Sequence, residues 1–153
     1  MRERGNDMKT AWMAIVLGMI VGSASAGGEG WLTDFDAAKK LAAEKNVPIL
    51  ADFSGSDWCG WCIKLDKEVF QKDNFKTYAK DNVVLFLADF PNKGKQTDAV
   101  KKQNKGLAET YKVQGFPTVL LLGADGKVLG RTGYKPGGPD AYITHVKSLL
   151  AAE

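Results

Sequence analysis

Cysteine is scarce in this chain: 153 residues hold two, Cys59 and Cys62. Two cysteines cannot build a disulfide framework, so the fold must rest on a hydrophobic core and the pair reads as a site. Histidine is scarcer still, with His145 alone, and two thiolates plus one distant imidazole fall short of the four ligands of structural zinc. Charge of one sign is also lacking. Lys and Arg number 21 against 18 Asp and Glu, and the net +3 is too small to argue for nucleic acid or an anionic membrane. The apolar run from Ala11 to Val21 is short against the about 20 residues that span a bilayer. No internal repeat appears and no compositional shift marks a second domain. What is present is ordinary for one globular domain, 44% apolar and 25% charged, and long enough for a core.

Residues 1–26 read as a secretory signal. Arg2, Arg4 and Lys9 supply a positive start, the run to Val21 an apolar centre, and Ala24-Ser25-Ala26 a small-residue cleavage site before Gly27. Met8 offers a second start, with Lys9 as a sufficient basic flank. The alternative is an uncleaved N-terminal anchor. No cysteine stands near the cleavage site, which excludes a lipid-modified N-terminus. Cleavage leaves 18 basic and 16 acidic residues in a domain spanning 27–153. Export, to the periplasm in a bacterium, puts the cysteine pair in an oxidising compartment, where it is either locked or actively cycled.

The stretch that organises the chain is Asp52-Phe53-Ser54-Gly55-Ser56-Asp57-Trp58-Cys59-Gly60-Trp61-Cys62. Before it, Pro48 to Phe53 has the length and composition of a buried strand. After it, Cys62, Ile63, Leu65, Val69 and Phe70 recur at roughly helical spacing. A Cys-x-x-Cys opening a helix has a physical logic: the free N–H groups and dipole of the helix start stabilise a thiolate. A thiolate is the attacking species in disulfide exchange. The second cysteine, one turn on, can close the ring and expel a bound partner.

The remaining elements follow in order. Thr33 is predicted to cap a helix, with Asp36 three residues on, and Phe35, Ala38, Leu41 and Ala42 form its apolar face as far as Asn46. The Cys-x-x-Cys helix is predicted to break near Lys72-Asp73-Asn74, and its second piece carries Phe75, Tyr78 and Ala79. Val83 to Phe90 is nearly continuous apolar, as a strand covered on both faces requires. Helix 98–111 turns Val100, Leu107, Ala108 and Tyr111 inward. Five lysines between Lys93 and Lys105 read as a solvated face, with a docking patch for an acidic partner as the alternative. Val119 to Leu122, the turn Ala124-Asp125-Gly126-Lys127 and Val128 to Thr132 form a hairpin. Pro139 opens a final helix to Ala151.

This order, the Trp-Cys-x-x-Cys after the first core strand and Phe116-Pro117-Thr118 before the hairpin resemble the thioredoxin superfamily. Within it the chain is most similar to exported bacterial proteins of thiol–disulfide interchange. The resemblance spans about Trp31 to Glu153. It implies an α/β thioredoxin-like fold, a central mixed sheet of parallel strands plus a C-terminal hairpin, flanked by helices. It also implies a protein-disulfide oxidoreductase without cofactor or metal. In that reading Cys59 is the exposed nucleophile, Cys62 the buried resolving cysteine and Pro117 a cis-proline. Phe116 would offer backbone groups to an extended substrate, and protein or peptide disulfides would be the substrates. A reductant outside the cytoplasm implies a membrane electron carrier as partner; no nucleic acid is implied.

Three departures from thioredoxin stand out. Trp61 replaces the proline between the cysteines, so Gly60-Trp61 leaves the direction of electron flow open between reductant or isomerase and oxidant. The segment from Asp52 to Cys59 is one residue longer. No lysine pairs with Asp52, since the neighbouring strand offers Leu85 and Phe86. Asp52 is a candidate proton relay to the resolving thiol; the alternative is a partly exposed strand-end acid. Trp58, Gly60 and Trp61 are predicted to frame the substrate, the tryptophans as an apolar rim or else as packing residues. Lys64 is expected to point to solvent, and His145 to be structural. Two rivals stay open: a module binding Cu(I) through the two thiolates, and an adaptor whose disulfide is only structural.

Overall fold

The computed structural model describes residues 28–152. The predicted leader, residues 1–26, lies outside the described residues. Strands β1 (Trp31–Leu32), β2 (Ile49–Ser54), β3 (Val84–Asp89), β4 (Thr118–Leu122) and β5 (Val128–Thr132) form one mixed sheet in the order β1-β3-β2-β4-β5. Helices α1 (Phe35–Lys45), α2 (Gly60–Leu65), α3 (Asp73–Asn82), α4 (Asp98–Thr110) and α5 (Gly138–Ala151) flank it, and a π-helical turn (Asp66–Phe70) continues α2. β3 runs parallel to β1 and β2, while β4 is antiparallel to both β2 and β5.

β2 is the middle strand, and all six of its residues are buried. Its side chains alternate between the two faces, as the pleat demands. Ile49, Ala51 and Phe53 pack with Phe86, Leu120 and Leu122 under α1, with Leu107, Ala108 and Tyr111 of the α4 region against them. Leu50 packs on the opposite face with Leu65, Phe70, Phe75, Leu121 and Tyr142. Asp52 follows the parity of Leu50, so it faces the layer that contains the cysteine helix. Burial on both faces explains why these strands read as unbroken apolar runs.

Four expectations need correction. A two-residue strand, β1, precedes α1; it is too short to leave a periodic signal and is held by pairing Trp31 with Leu85 and Leu32 with Phe86. Asp34, not Thr33, caps α1: its Oδ1 accepts the Ala37 N–H at 3.0 Å, while the Thr33 carbonyl accepts from Gln103. The register sets Asp52 opposite Leu87 and Val119, one pleat beyond Leu85 and Phe86. The fully inward residue of α4 is Asn104, whose amide donates to the Asp89 carbonyl at 2.9 Å. Val100, Leu107, Ala108 and Tyr111 are only half-buried.

Candidate active site

The chain leaves β2 at Ser54, turns through Gly55-Ser56-Asp57 and enters α2 at Cys59. Cys59 and Cys62 are joined as a disulfide, with Cα atoms 5.2 Å apart. Cys59 occupies the cap position of α2, and its Sγ accepts the Cys62 N–H at 3.2 Å. A backbone N–H aimed at sulfur stabilises negative charge there, and so favours the thiolate once the disulfide opens. Cys59 was expected to be exposed; with its sulfur tied into the ring it retains 7% of its surface, against 3% for Cys62.

Short polar contacts hold the entry turn. Ser56 donates its N–H and its Oγ to the two carboxylate oxygens of Asp89, at 3.0 and 2.6 Å. Asp57 accepts the N–H groups of Asn92, Lys93 and Gly94 at 2.8, 2.7 and 3.1 Å. Those bonds to Asn92 and Lys93 hold its carboxyl below the usual carboxylate range. The Trp58 indole N–H donates to the Phe90 carbonyl at 2.7 Å. The longer segment before Cys59 is therefore a clamped turn joined to the loop after β3. Sequence reasoning missed Asp57, Asp89 and Phe90, because their partners lie 32 to 37 residues away along the chain.

The tryptophans stand on opposite sides of the motif and are both exposed, 46% for Trp58 and 57% for Trp61. Trp58 meets Phe116 edge-on at 5.9 Å, and Phe116 packs against Phe90 at 5.0 Å. The Phe116–Pro117 peptide bond is cis. Trp61 packs on Tyr134 at 5.0 Å, and the Tyr134 hydroxyl donates to Glu68. Lys64 lies over both of those rings and 3.8 Å from Glu68, so it forms part of the aromatic rim. Gly60 has open space where a Cβ would project, so no close contact demands glycine there. His145 hydrogen-bonds Thr132 at 2.9 Å, remote from the motif in both sequence and contacts.

Gly55 carries a firm steric requirement. A Cβ there would fall 2.4 Å from the Trp58 ring. Gly55→Ala is expected to displace the indole, break its bond to Phe90 and cost about 1–3 kcal/mol. Urea unfolding checks the cost, and a raised KM for a disulfide peptide checks the displaced ring.

Asp52 lies beneath α2. It is 6% exposed, and its Oδ1 has no hydrogen-bond partner among the described residues. It shares with Cys62 a cavity of about 460 Å³, lined also by Trp31, Ser54, Asp66 and Lys76. Burial pushes its pKa up to about 8, with the nearby negative charges of Asp66 and then Asp89 adding to the effect. The acid is buried, has no cation across the strands, and opens onto the cavity behind Cys62. Among the described residues, no group of three or more His, Cys, Asp or Glu is placed to hold a metal.

A cysteine pair joined as a disulfide at a helix start, backed by a buried acid and bordered by exposed aromatic rings, has the arrangement of a dithiol–disulfide exchange site. The family model for the thioredoxin-like domain matches residues 35–146. The disulfide bond reductase DsbH of Chlamydia pneumoniae is 43% identical over 113 residues, covering 74% of this chain and 68% of that protein. The thioredoxin-related protein DsbJ of the same organism is 29% identical over 127 residues, 78% of this chain but 36% of DsbJ. A solved structure of a DsbH oxidoreductase matches with a TM-score of 0.72 at 39% identity, covering 76% of this chain and 81% of that one. The chain belongs to the thioredoxin-like family, and its chemistry is that of a protein-disulfide oxidoreductase.

Proposed function

We propose that the protein, exported after cleavage of residues 1–26, reduces or isomerises disulfides in protein substrates, with Cys59 as nucleophile and Cys62 as resolving cysteine. The Cys59 thiolate attacks one sulfur of a substrate disulfide; a mixed disulfide forms and the other substrate sulfur leaves as a thiolate. Cys62 yields its proton toward the Asp52 carboxylate across the cavity both residues line. The Cys62 thiolate then attacks Cys59 Sγ, closing the Cys59–Cys62 bond and releasing the second substrate thiolate. Two electrons pass from the dithiol to the substrate, and a membrane electron carrier restores the dithiol.

Trp58, Trp61 and Phe116 provide apolar surface for the substrate chain. The backbone at Phe116 and Pro117 offers hydrogen bonds to an extended peptide, and Gly60 leaves the sulfur approachable. The observation that carries the reading is the Cys62 N–H directed at Cys59 Sγ from the first turn of α2. Likeness to a disulfide bond reductase supports the reducing direction.

The equilibrium reduction potential of the Cys59–Cys62 pair, titrated against dithiothreitol, tests that direction. A reductant is expected near thioredoxin's about −270 mV, whereas a value near about −120 mV would make the protein an oxidant and overturn it.

A further inference from the structure

We propose that the loop Pro91–Gln96 forms a basic rim of the active site that selects substrates with acidic residues flanking their disulfide. The inference rests on the exchange function proposed above and names its substrate class.

The loop leaves β3 at Phe90, inside the aromatic cluster with Trp58 and Phe116. It does not hang free of the motif. The Asp57 carboxylate, two residues before Cys59, binds three consecutive backbone N–H groups of Asn92, Lys93 and Gly94. At its far end the Gln96 side chain donates to the Asp89 carbonyl at 3.0 Å, and Thr97 caps α4. Asp89 in turn binds Ser56 of the entry turn. One network thus fixes the loop to the segment that delivers Cys59.

Lys93 and Lys95 project from this loop, and both are exposed. Neither has a carboxylate within salt-bridge distance among the described residues; the ion pairs found there involve Lys39, Lys64 and Lys101. The acids that hold or flank the loop are already engaged: Asp57 by three N–H groups, Asp89 by Ser56, and Asp98 by Lys101. Two unpaired cations on a hydrogen-bonded loop, which leaves β3 beside the exposed Trp58 ring, match a peptide carrying carboxylates beside an apolar segment. Preordering of the loop removes the entropy of organising it at encounter, and like-charged peptides are disfavoured at the same place.

The test uses three synthetic disulfide peptides that differ only in having Asp/Glu, Ser or Lys flanks, with kcat/KM measured at low and high salt. The wild type is expected to prefer the acidic over the basic peptide by about five- to tenfold at low salt, and by less when salt screens the charges. The double variant K93E/K95E should invert that order. The control K102E/K105E, on exposed α4 lysines outside the loop, should leave the ratio unchanged. Equal rates for the acidic and basic peptides in the wild type overturn the rim. So does an equal loss of preference in the control, which would assign the effect to overall charge. If the wild type reduces none of the three peptides, the exchange reading itself falls, and the rim with it.

Discussion

Cys59→Ser is expected to lower kcat/KM for reduction of a peptide disulfide by about 10³-fold or more, the scale of losing a covalent nucleophile. Serine leaves the fold intact, since the position caps α2 and serine is a preferred cap. The loss would therefore fall on chemistry. Cys62→Ser separates the two roles more sharply. With Cys59 still able to attack and no sulfur one turn on to displace the partner, the protein should accumulate as a mixed disulfide with its substrate. Non-reducing electrophoresis and mass spectrometry would read it directly. Were the adduct instead to form on Cys62 in the Cys59→Ser variant, the assigned roles would be reversed.

Asp52→Asn should raise stability and slow turnover together. The folded protein holds the Asp52 carboxyl at about 8 against 3.8 for an unperturbed one. Below pH 3.8 the group is protonated in both folded and unfolded chains, so it makes no pH-dependent contribution. As pH rises from there the unfolded chain releases the proton and the folded chain keeps it, so stability falls until the folded group ionises near pH 8. The cost is at most about 6 kcal/mol at 1.36 kcal/mol per pKa unit, and water entering the cavity lowers it, so about 2–4 kcal/mol is expected. Asparagine cannot ionise. In urea unfolding of the oxidised proteins, the gain from Asp52→Asn should be small at pH 4 and greatest by pH 9. At pH 8 and above, where the Asp52 carboxylate is populated, the variant should resolve the mixed disulfide about 10²-fold more slowly, because the acceptor for the Cys62 proton is gone. A stability gain without slower resolution would make Asp52 a burial defect and not a relay.

The parts of this molecule visible in its sequence are those whose signals are local. Ile49 to Ser54 and Val84 to Asp89 are buried on both faces and so appear as apolar runs. Asp125-Gly126 sits where the turn needs it, with Gly126 at φ +85°. The cysteine spacing and Pro117 lie within recognisable short motifs. What stayed hidden depends on contacts that only the fold creates. Asp57 looks like any loop acid until Asn92 to Gly94 are brought to it. Asn104 sits among lysines and polar residues on α4, yet it is the buried one, because the Asp89 carbonyl at the end of β3 needs a donor. Asp34 caps α1 in place of Thr33 because the helix starts one residue later, where the Gln103 side chain accepts the Phe35 N–H and donates to the Thr33 carbonyl. In each case a partner distant in sequence decided between residues of similar local propensity.

The π-turn from Asp66 to Phe70, closed by the Gln71 N–H on the Asp66 carbonyl at 2.9 Å, has a consequence for where the chain tolerates a change of length. A π-turn accommodates one residue more than the α-helix around it. On the other side of the cysteines, the clamped Gly55-Ser56-Asp57 turn takes up extra length without altering the pairing of β2 with β3 and β4. The cysteine motif is thus bracketed by a π-turn and a clamped turn, neither of which takes part in the strand pairing. Deleting one residue within Asp66–Phe70 is expected to return that turn to α-helical winding while leaving the sheet register in place. A change of length in the π-turn is thus a way to re-aim the site by design, a route closed to the strands on which it stands.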